Sequence, residues 1–287
     1  MNQSAYAAPG TLSDVSALLS QNPGSRILAG GQNLLTEPNR SRLAGSLLVD
    51  LRKVPKLAGI EAKDGGLRIG AMTTIGSVAA SQLVHRICPV LADAAGLVGD
   101  AQVRNRATIG GAVAEADPGS DLIPVLLVLD AALEIADPQL RDVAVNELFA
   151  GPAAKMLSAT EIITAVTIPS VVPGTGAAYQ KMKDPATLYA LCGVAASITL
   201  SADKSVTKCR VAVTGATEHP VRLPDVEAAV TGSHPSESAL ANAAKRIDKR
   251  LAYRGDFYAS SEYREHLTRV LTERALRLAA ARAAELV

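Results

Sequence analysis

Tryptophan is absent from this chain and phenylalanine occurs only twice, so the aromatic platforms on which single-stranded nucleic acid stacks are missing. Charge of one sign is missing too. Twenty-nine Lys and Arg stand against 28 Asp and Glu, and the two kinds are interleaved rather than gathered into a basic stripe. With a formal net charge of +1, the chain lacks the electrostatic footprint of a nucleic-acid-binding protein. Long apolar runs are lacking as well. The most apolar segments, residues 122–129 and 188–200, fall short of the roughly 20 residues that span a bilayer. The start, Met1-Asn2-Gln3-Ser4-Ala5, has no basic region leading into an apolar stretch, and the expectation is a cytoplasmic protein.

Cysteine is scarce. Cys88, Cys192 and Cys209 are far apart, with no Cys-x-x-Cys spacing, and read as small buried hydrophobes in a reducing compartment. His85, His219, His234 and His266 form no short-spaced pair of the kind a metal site takes from one element. No metal site is predicted from these residues, and no acid–base constellation stands out that would make the chain catalytic on its own.

What is present is an ordinary globular pattern of 287 residues, long enough for two or three compact units. Leu12, Val15, Leu18 and Leu19 recur at helical spacing, with Ser13 as the candidate N-cap. Short strands are predicted at 26–28, 47–49 and 67–69, the last after the turn signal Asp64-Gly65-Gly66. The first 55 residues thus suit one β-α-β crossover. Residues 74–100 read as helical, and Thr108-Ile109-Gly110-Gly111 as a strand-like turn. Residues 122–127 read as a short buried helix capped by Asp or Ser, followed by strands at 131–135 and 162–168. Two prolines and two glycines in 169–176 mark a connector between units. Beyond it, strands are predicted at 177–182, 194–200 and 208–213, and helices at 224–230, 236–250 and 261–286.

Two glycine turns carry the functional reading. Ala29-Gly30-Gly31-Gln32-Asn33 follows a strand, and glycine there permits a tight turn that leaves backbone N–H groups pointing outward, a nest suited to phosphate. Thr108-Ile109-Gly110-Gly111 offers the same bare backbone plus a hydroxyl, so that two loops can grip one pyrophosphate. Asp117 and Asp121 lie just downstream, as acceptors for ribose hydroxyls or as helix caps. Neither turn is a Rossmann or Walker fingerprint. Taken singly, each is also what tight packing requires.

The segments Ala29-Gly30-Gly31-Gln32-Asn33-Leu34-Leu35, Leu48-Val49-Asp50-Leu51-Arg52, Ile69-Gly70-Ala71-Met72-Thr73-Thr74, the run from Val103 to Gly111, Ala116-Asp117-Pro118 with Asp121-Leu122, Tyr179-Gln180-Lys181, Leu188-Tyr189-Ala190 and Ser261-Glu262-Tyr263-Arg264 together resemble one family across nearly the whole chain. That family is the FAD-binding medium subunits of the molybdenum hydroxylases, which include the flavin domain of xanthine dehydrogenase and the medium chain of aerobic carbon monoxide dehydrogenase. The resemblance implies an α+β fold: a two-subdomain FAD-binding domain of the vanillyl-alcohol-oxidase (PCMH) type over 1–170, with subdomains at about 1–55 and 56–170, then a small C-terminal domain of antiparallel sheet and helices over 177–287, like that of the carbon monoxide dehydrogenase flavoprotein. It assigns cofactor contacts to Leu28, Ala29, Gly30, Gly31, Gln32, Asn33, Leu34, Val103, Thr108, Ile109, Gly110, Gly111, Ala112, Ala116, Asp117, Asp121, Ile163, Lys181 and Tyr189. Within that set it implies pyrophosphate at the two glycine turns, the adenosine ribose at Asp121, a backbone contact at Ile163, the polar edge of the flavin at Lys181 and the ring near Tyr189. Ala112, Glu115 and Asn33 depart from the family's usual residues.

The function so implied is electron transfer through FAD in a heterotrimer, with the metal ligands that this chain lacks supplied by partner chains. A large subunit with the molybdenum cofactor and a small subunit with two [2Fe–2S] clusters are the expected partners, as a dimer of heterotrimers. The alternatives are a self-contained FAD-dependent reductase or oxidase of the same flavin fold, and a flavin-free binding module.

Overall fold

The computed structural model describes residues 5–36, 43–137, 139–149, 157–248 and 250–287. A short helix, α1 (Leu12–Gln21), carries the chain from β1 (Ala5–Ala7) to β2 (Arg26–Leu28), a crossover that leaves the strands parallel. β3 (Leu47–Asp50) then enters between them, so the first sheet is parallel throughout, in the order β1-β3-β2. The cap of α1 is Thr11 rather than the expected Ser13. Thr11 has extended backbone, and its hydroxyl accepts the Asp14 N–H at 3.1 Å, whereas Ser13 is already inside the first turn. At the end of β3 the buried Asp50 accepts from the Tyr6 hydroxyl and from the Arg52 backbone and guanidinium, tying two strands and the following turn together.

The second sheet is antiparallel, in the order β4-β5-β8-β6-β7, from β4 (Ile60–Lys63), β5 (Gly66–Gly70), β6 (Ala132–Asp137), β7 (Gln139–Ala144) and β8 (Ile162–Ile168). Asp64 and Gly65 both take positive φ, the backbone a two-residue hairpin between β4 and β5 demands. Between β5 and β6 run α2 (Ile75–Ala80), α3 (Gln82–Ile87), α4 (Pro89–Leu97), α5 (Ala101–Arg104), α6 (Ile109–Glu115) and α7 (Leu122–Val128). The expected strand-like turn at 108–111 is therefore the start of α6, with Thr108 as its cap. All seven residues of α7 are buried, which is why its sequence shows an apolar run without periodicity. α8 (Val145–Leu148) follows β7.

The third sheet, in the order β12-β11-β10-β9, is antiparallel and is made by β9 (Thr175–Lys183), β10 (Ala190–Leu200), β11 (Val206–Thr214) and β12 (Val221–Arg222). α9 (Pro224–Val230), α10 (Glu237–Ala243) and the long α11 (Ser261–Ala284) accompany it. Leu267, Leu271, Ala275, Leu276, Ala279 and Ala283 form the buried stripe of α11, which lies along β9 and β10. The helix expected over 236–250 stops at Ala243, where the Arg246 N–H turns back to the Ala243 carbonyl, and position 249 is outside the described residues. Arg264, itself buried, donates to the carbonyls of Leu191 and Gly215 at 2.6 Å each and to both oxygens of Asp256, pinning α11 to the ends of the sheet.

The largest core gathers β5, β6, β8 and the helices between them, and it reaches Tyr179, Ala195 and Ala212 of the third sheet. α7 is the element in between, in contact with both β10 and β11. The three cysteines are buried and unpaired, and burial pushes each thiol up to about 12. No helix among the described residues is long and apolar enough to cross a membrane.

Arg68 on β5 reaches over β8 to Glu134 on β6, with its Nη2 2.7 Å and its Nε 3.0 Å from the carboxylate. These bonds, with help from Lys63, hold the Glu134 carboxyl below its usual range. Glu134→Gln is expected to lower the free energy of unfolding by about 1 kcal/mol at neutral pH. Because the folded-state pKa is the lower one, the difference between wild type and variant persists above about pH 4.3 and shrinks as the pH falls below it. Urea melts at a series of pH values check both the size and the sign.

Candidate functional site

β2 delivers the first glycine turn to the edge of the first sheet. Gly31 has φ 76, which favours glycine, and the turn is closed by Leu35 N–H to the Gly31 carbonyl at 3.1 Å and Thr36 N–H to the Asn33 carbonyl at 3.3 Å. The N–H groups of Gly31 and Gln32 find no acceptor among the described residues. Gly30 is glycine for a different reason: a β-carbon there would overlap the Arg106 carbonyl oxygen, with the Arg106 carbonyl carbon at 2.8 Å and Ala107 Cα at 2.9 Å. The two turns are thus in backbone contact.

The second turn is built on the loop ahead of α2. Ile75 N–H donates to the Ala107 carbonyl, Ile109 N–H to Thr73, and Gly110 N–H to Ala71, all between 2.8 and 3.0 Å. Gly110 lies so close that a β-carbon would be 2.5 Å from Ala71 Cβ. The Thr108 hydroxyl accepts the Gly111 N–H at 3.2 Å. The expectation of bare donors here is corrected by the structure: capping and the Ala71 contact already use the N–H groups of Gly110 and Gly111. What this turn presents is a flat, side-chain-free surface at the start of α6, with Gly111 facing Ala29.

Between the turns lies a cavity of about 570 Å³, within the size range of cofactor sites. Of the residues singled out in the sequence, Ala29, Gly30, Gly31, Gln32, Asn33, Leu34, Val103, Thr108, Gly110, Gly111, Ala112, Asp117, Asp121, Ile163 and Tyr189 line it. Leu28, Ile109, Ala116 and Lys181 do not. Ile109 is fully buried in the core, and Ala116 ends α6 in the left-handed region with φ 52. Residues to which the sequence assigned no cofactor contact also line it, among them Ser158, Glu161 and Ile162, with Ser120, Thr187 and Leu188. Among these, Glu161 accepts from the Ser158 N–H and pairs with Arg141, bonds that together outweigh its burial and hold its carboxyl below the usual range. Glu115 is also in the wall.

The loop at 117–121 carries the polar side of the cavity. Asp117 folds back to accept the Gly119 N–H at 2.7 Å, while the Pro118 carbonyl accepts from the Thr214 hydroxyl and the Gly215 N–H. Asp121 begins α7 without capping it. Its carboxylate, 5% exposed, takes the Tyr179 hydroxyl on Oδ1 at 2.6 Å and the Lys181 ammonium on Oδ2 at 2.7 Å. Burial pushes the Asp121 carboxyl above its usual range, opposed by Lys181 and Tyr179. Lys181 also donates to the Leu97 carbonyl, and its side chain is 3% exposed. Lys181 is thus not part of the cavity lining, and its ammonium is held by Asp121 and the Leu97 carbonyl. Tyr189, 47% exposed, stands at the cavity's rim against Gly119.

The residues present fit a flavin dinucleotide. Free N–H donors at Gly31 and Gln32 suit a pyrophosphate, the glycine surfaces allow it to approach the backbone, and each Asp121 oxygen keeps a lone pair for a hydroxyl. Among the described residues there is no cluster of His, Cys, Asp or Glu that would hold a metal ion. Gly30→Ala forces the two turns apart, and the expected outcome is a loss of about 2 kcal/mol of stability together with most of the bound flavin. Thermal melts and the absorbance of the purified chain check the two effects separately.

Comparison with known proteins points to the same cofactor. The family model of the FAD binding domain in molybdopterin dehydrogenase matches residues 2–171, and that of the CO dehydrogenase flavoprotein C-terminal domain matches residues 177–279. The nicotine 6-hydroxylase medium subunit of Paenarthrobacter nicotinovorans is 34% identical, over 96% of this chain and 97% of its own. The carbon monoxide dehydrogenase medium chain of Afipia carboxidovorans is 31% identical over 97% of each. Among solved structures, carbon monoxide dehydrogenase from Hydrogenophaga pseudoflava superposes with a TM-score of 0.91 at 30% identity, covering 98% of both chains. From its glycine turns to its C-terminal helix, the chain belongs to the FAD-binding medium subunits of the molybdenum hydroxylases.

Proposed function

We propose that this chain is the flavin relay of a three-chain hydroxylase, in which a large subunit with the molybdenum cofactor hydroxylates the substrate and a small subunit with two [2Fe–2S] clusters delivers the electrons. The observation that carries the proposal is the cavity: its lining joins the two glycine turns, with N–H groups that find no acceptor among the described residues, to the loop that carries Asp117 and Asp121. FAD supplies the ability to take up electrons singly and release them to an outside acceptor.

The chain's own residues do the binding and the orienting. Gly31 and Gln32 donate backbone N–H groups to the pyrophosphate, and Gly110 and Gly111 keep the facing surface clear of side chains. Asp121 accepts a hydroxyl of the adenosine ribose, Ile163 contributes backbone, and Tyr189 limits access from solvent at the rim. The two chain segments matched by the family models correspond to a flavin domain and a C-terminal domain; the second adds Thr187, Leu188 and Tyr189 to the cavity lining and holds the Pro118 carbonyl through Thr214 and Gly215. Substrate choice rests with the large subunit. Assembly as a dimer of heterotrimers is part of the same reading.

Two measurements test it. A tagged chain drawn from its native host is expected to bring two further chains, a flavin spectrum, iron and molybdenum; a yellow chain without metals or partners overturns the relay. Asp121→Asn is expected to weaken FAD binding roughly tenfold, read by flavin fluorescence on the deflavinated full chain.

A further inference from the structure

Tyr179 is buried and is not part of the cavity lining, yet its hydroxyl makes the 2.6 Å bond to Asp121, which is. Tyr179 and Lys181 are two apart on β9, so both side chains leave the same face of the strand. Together they hold the two oxygens of one carboxylate, which belongs to a different part of the chain 58 residues away from Tyr179.

Gly193 explains how the hydroxyl gets there. This buried glycine lies in the interior of β10, opposite Lys181 in the register, where a side chain would ordinarily be favoured. A β-carbon on Gly193 would overlap the Tyr179 hydroxyl oxygen and come within 2.9 Å of Tyr179 Cζ. Glycine at 193 therefore leaves the space in which the phenol lies across β10 and points at Asp121. The sequence places a strand-weakening residue where the tyrosine tip must pass.

We infer that Tyr179, seated by Gly193, is a positioning residue for cofactor binding, setting the plane of the Asp121 carboxylate so that its remaining lone pairs face the cavity. With Lys181 alone, the carboxylate is free to rotate toward the ammonium and give up that orientation. The phenol also donates to the charged form, and so keeps Asp121 an acceptor despite its burial. This rests on the reading of Asp121 as a ligand to the cofactor.

The test is a double-mutant cycle for FAD binding to the deflavinated full chain, with Tyr179→Phe, Asp121→Asn and the two combined. Tyr179→Phe is expected to raise the Kd roughly tenfold, and the double variant is expected to bind no more weakly than Asp121→Asn alone. A tyrosine that merely supports the fold would give losses that multiply in the double variant, and that result overturns the inference, as does an unchanged Kd in Tyr179→Phe. Should Asp121→Asn bind FAD like the wild type, the underlying reading of Asp121 fails instead, whatever Tyr179→Phe does. Gly193→Ala provides the second route: the phenol is kept but pushed aside, and the same roughly tenfold loss is expected. A wild-type Kd in Gly193→Ala also overturns the inference.

Discussion

Asp121 is where the parts of this molecule meet. Its carboxylate sits on the cavity wall at the start of α7, and the groups that neutralise and orient it come from β9 of the third sheet. A carboxylate and an ammonium removed from water in this way are tolerated only with good geometry and further hydrogen bonds, which the Tyr179 hydroxyl and the Leu97 carbonyl provide. Breaking the arrangement on either side leaves a buried charge without its partner, so the wall of the cavity and the docking of the third sheet stand or fall together.

The rest of the wall follows the same logic of shared construction. The Pro118 carbonyl is held by Thr214 and Gly215, Gly119 lies against Tyr189, and α7 packs on β10 and β11. The loop at 117–121 has little regular structure of its own and is fixed by contacts from outside. On the other side, the first glycine turn is placed by the Arg106 carbonyl against which Gly30 is pressed. The cavity is thus lined by β2, by β8 and by the loop between β9 and β10, and no single sheet encloses it.

Much of this was legible in the residues. The apolar stripe of α1, the helix α11 and the hairpin at Asp64-Gly65 were readable because each depends on neighbours in sequence. β1, β4, β7 and β12 were not anticipated. They are short or carry mixed polar faces, and only pairing with a partner strand makes them strands. The glycine turns were recognisable as the functional centre, but the reading of the second as a strand turn with open donors missed the Thr108 cap and the pairing with Ala71, which are contacts between distant segments.

By itself the sequence determined which residue types stand at each turn, the family to which their order belongs, and the local elements that periodicity and capping encode. Tertiary structure alone decided that Lys181 pairs with Asp121, that Asp121 leaves its helix uncapped, and that Tyr179 passes over Gly193 to reach it. The physical reason is that an ion pair or a steric gap between residues tens of positions apart has no signature in local spacing. It exists only once packing has brought the strands and helices within a few ångströms of each other.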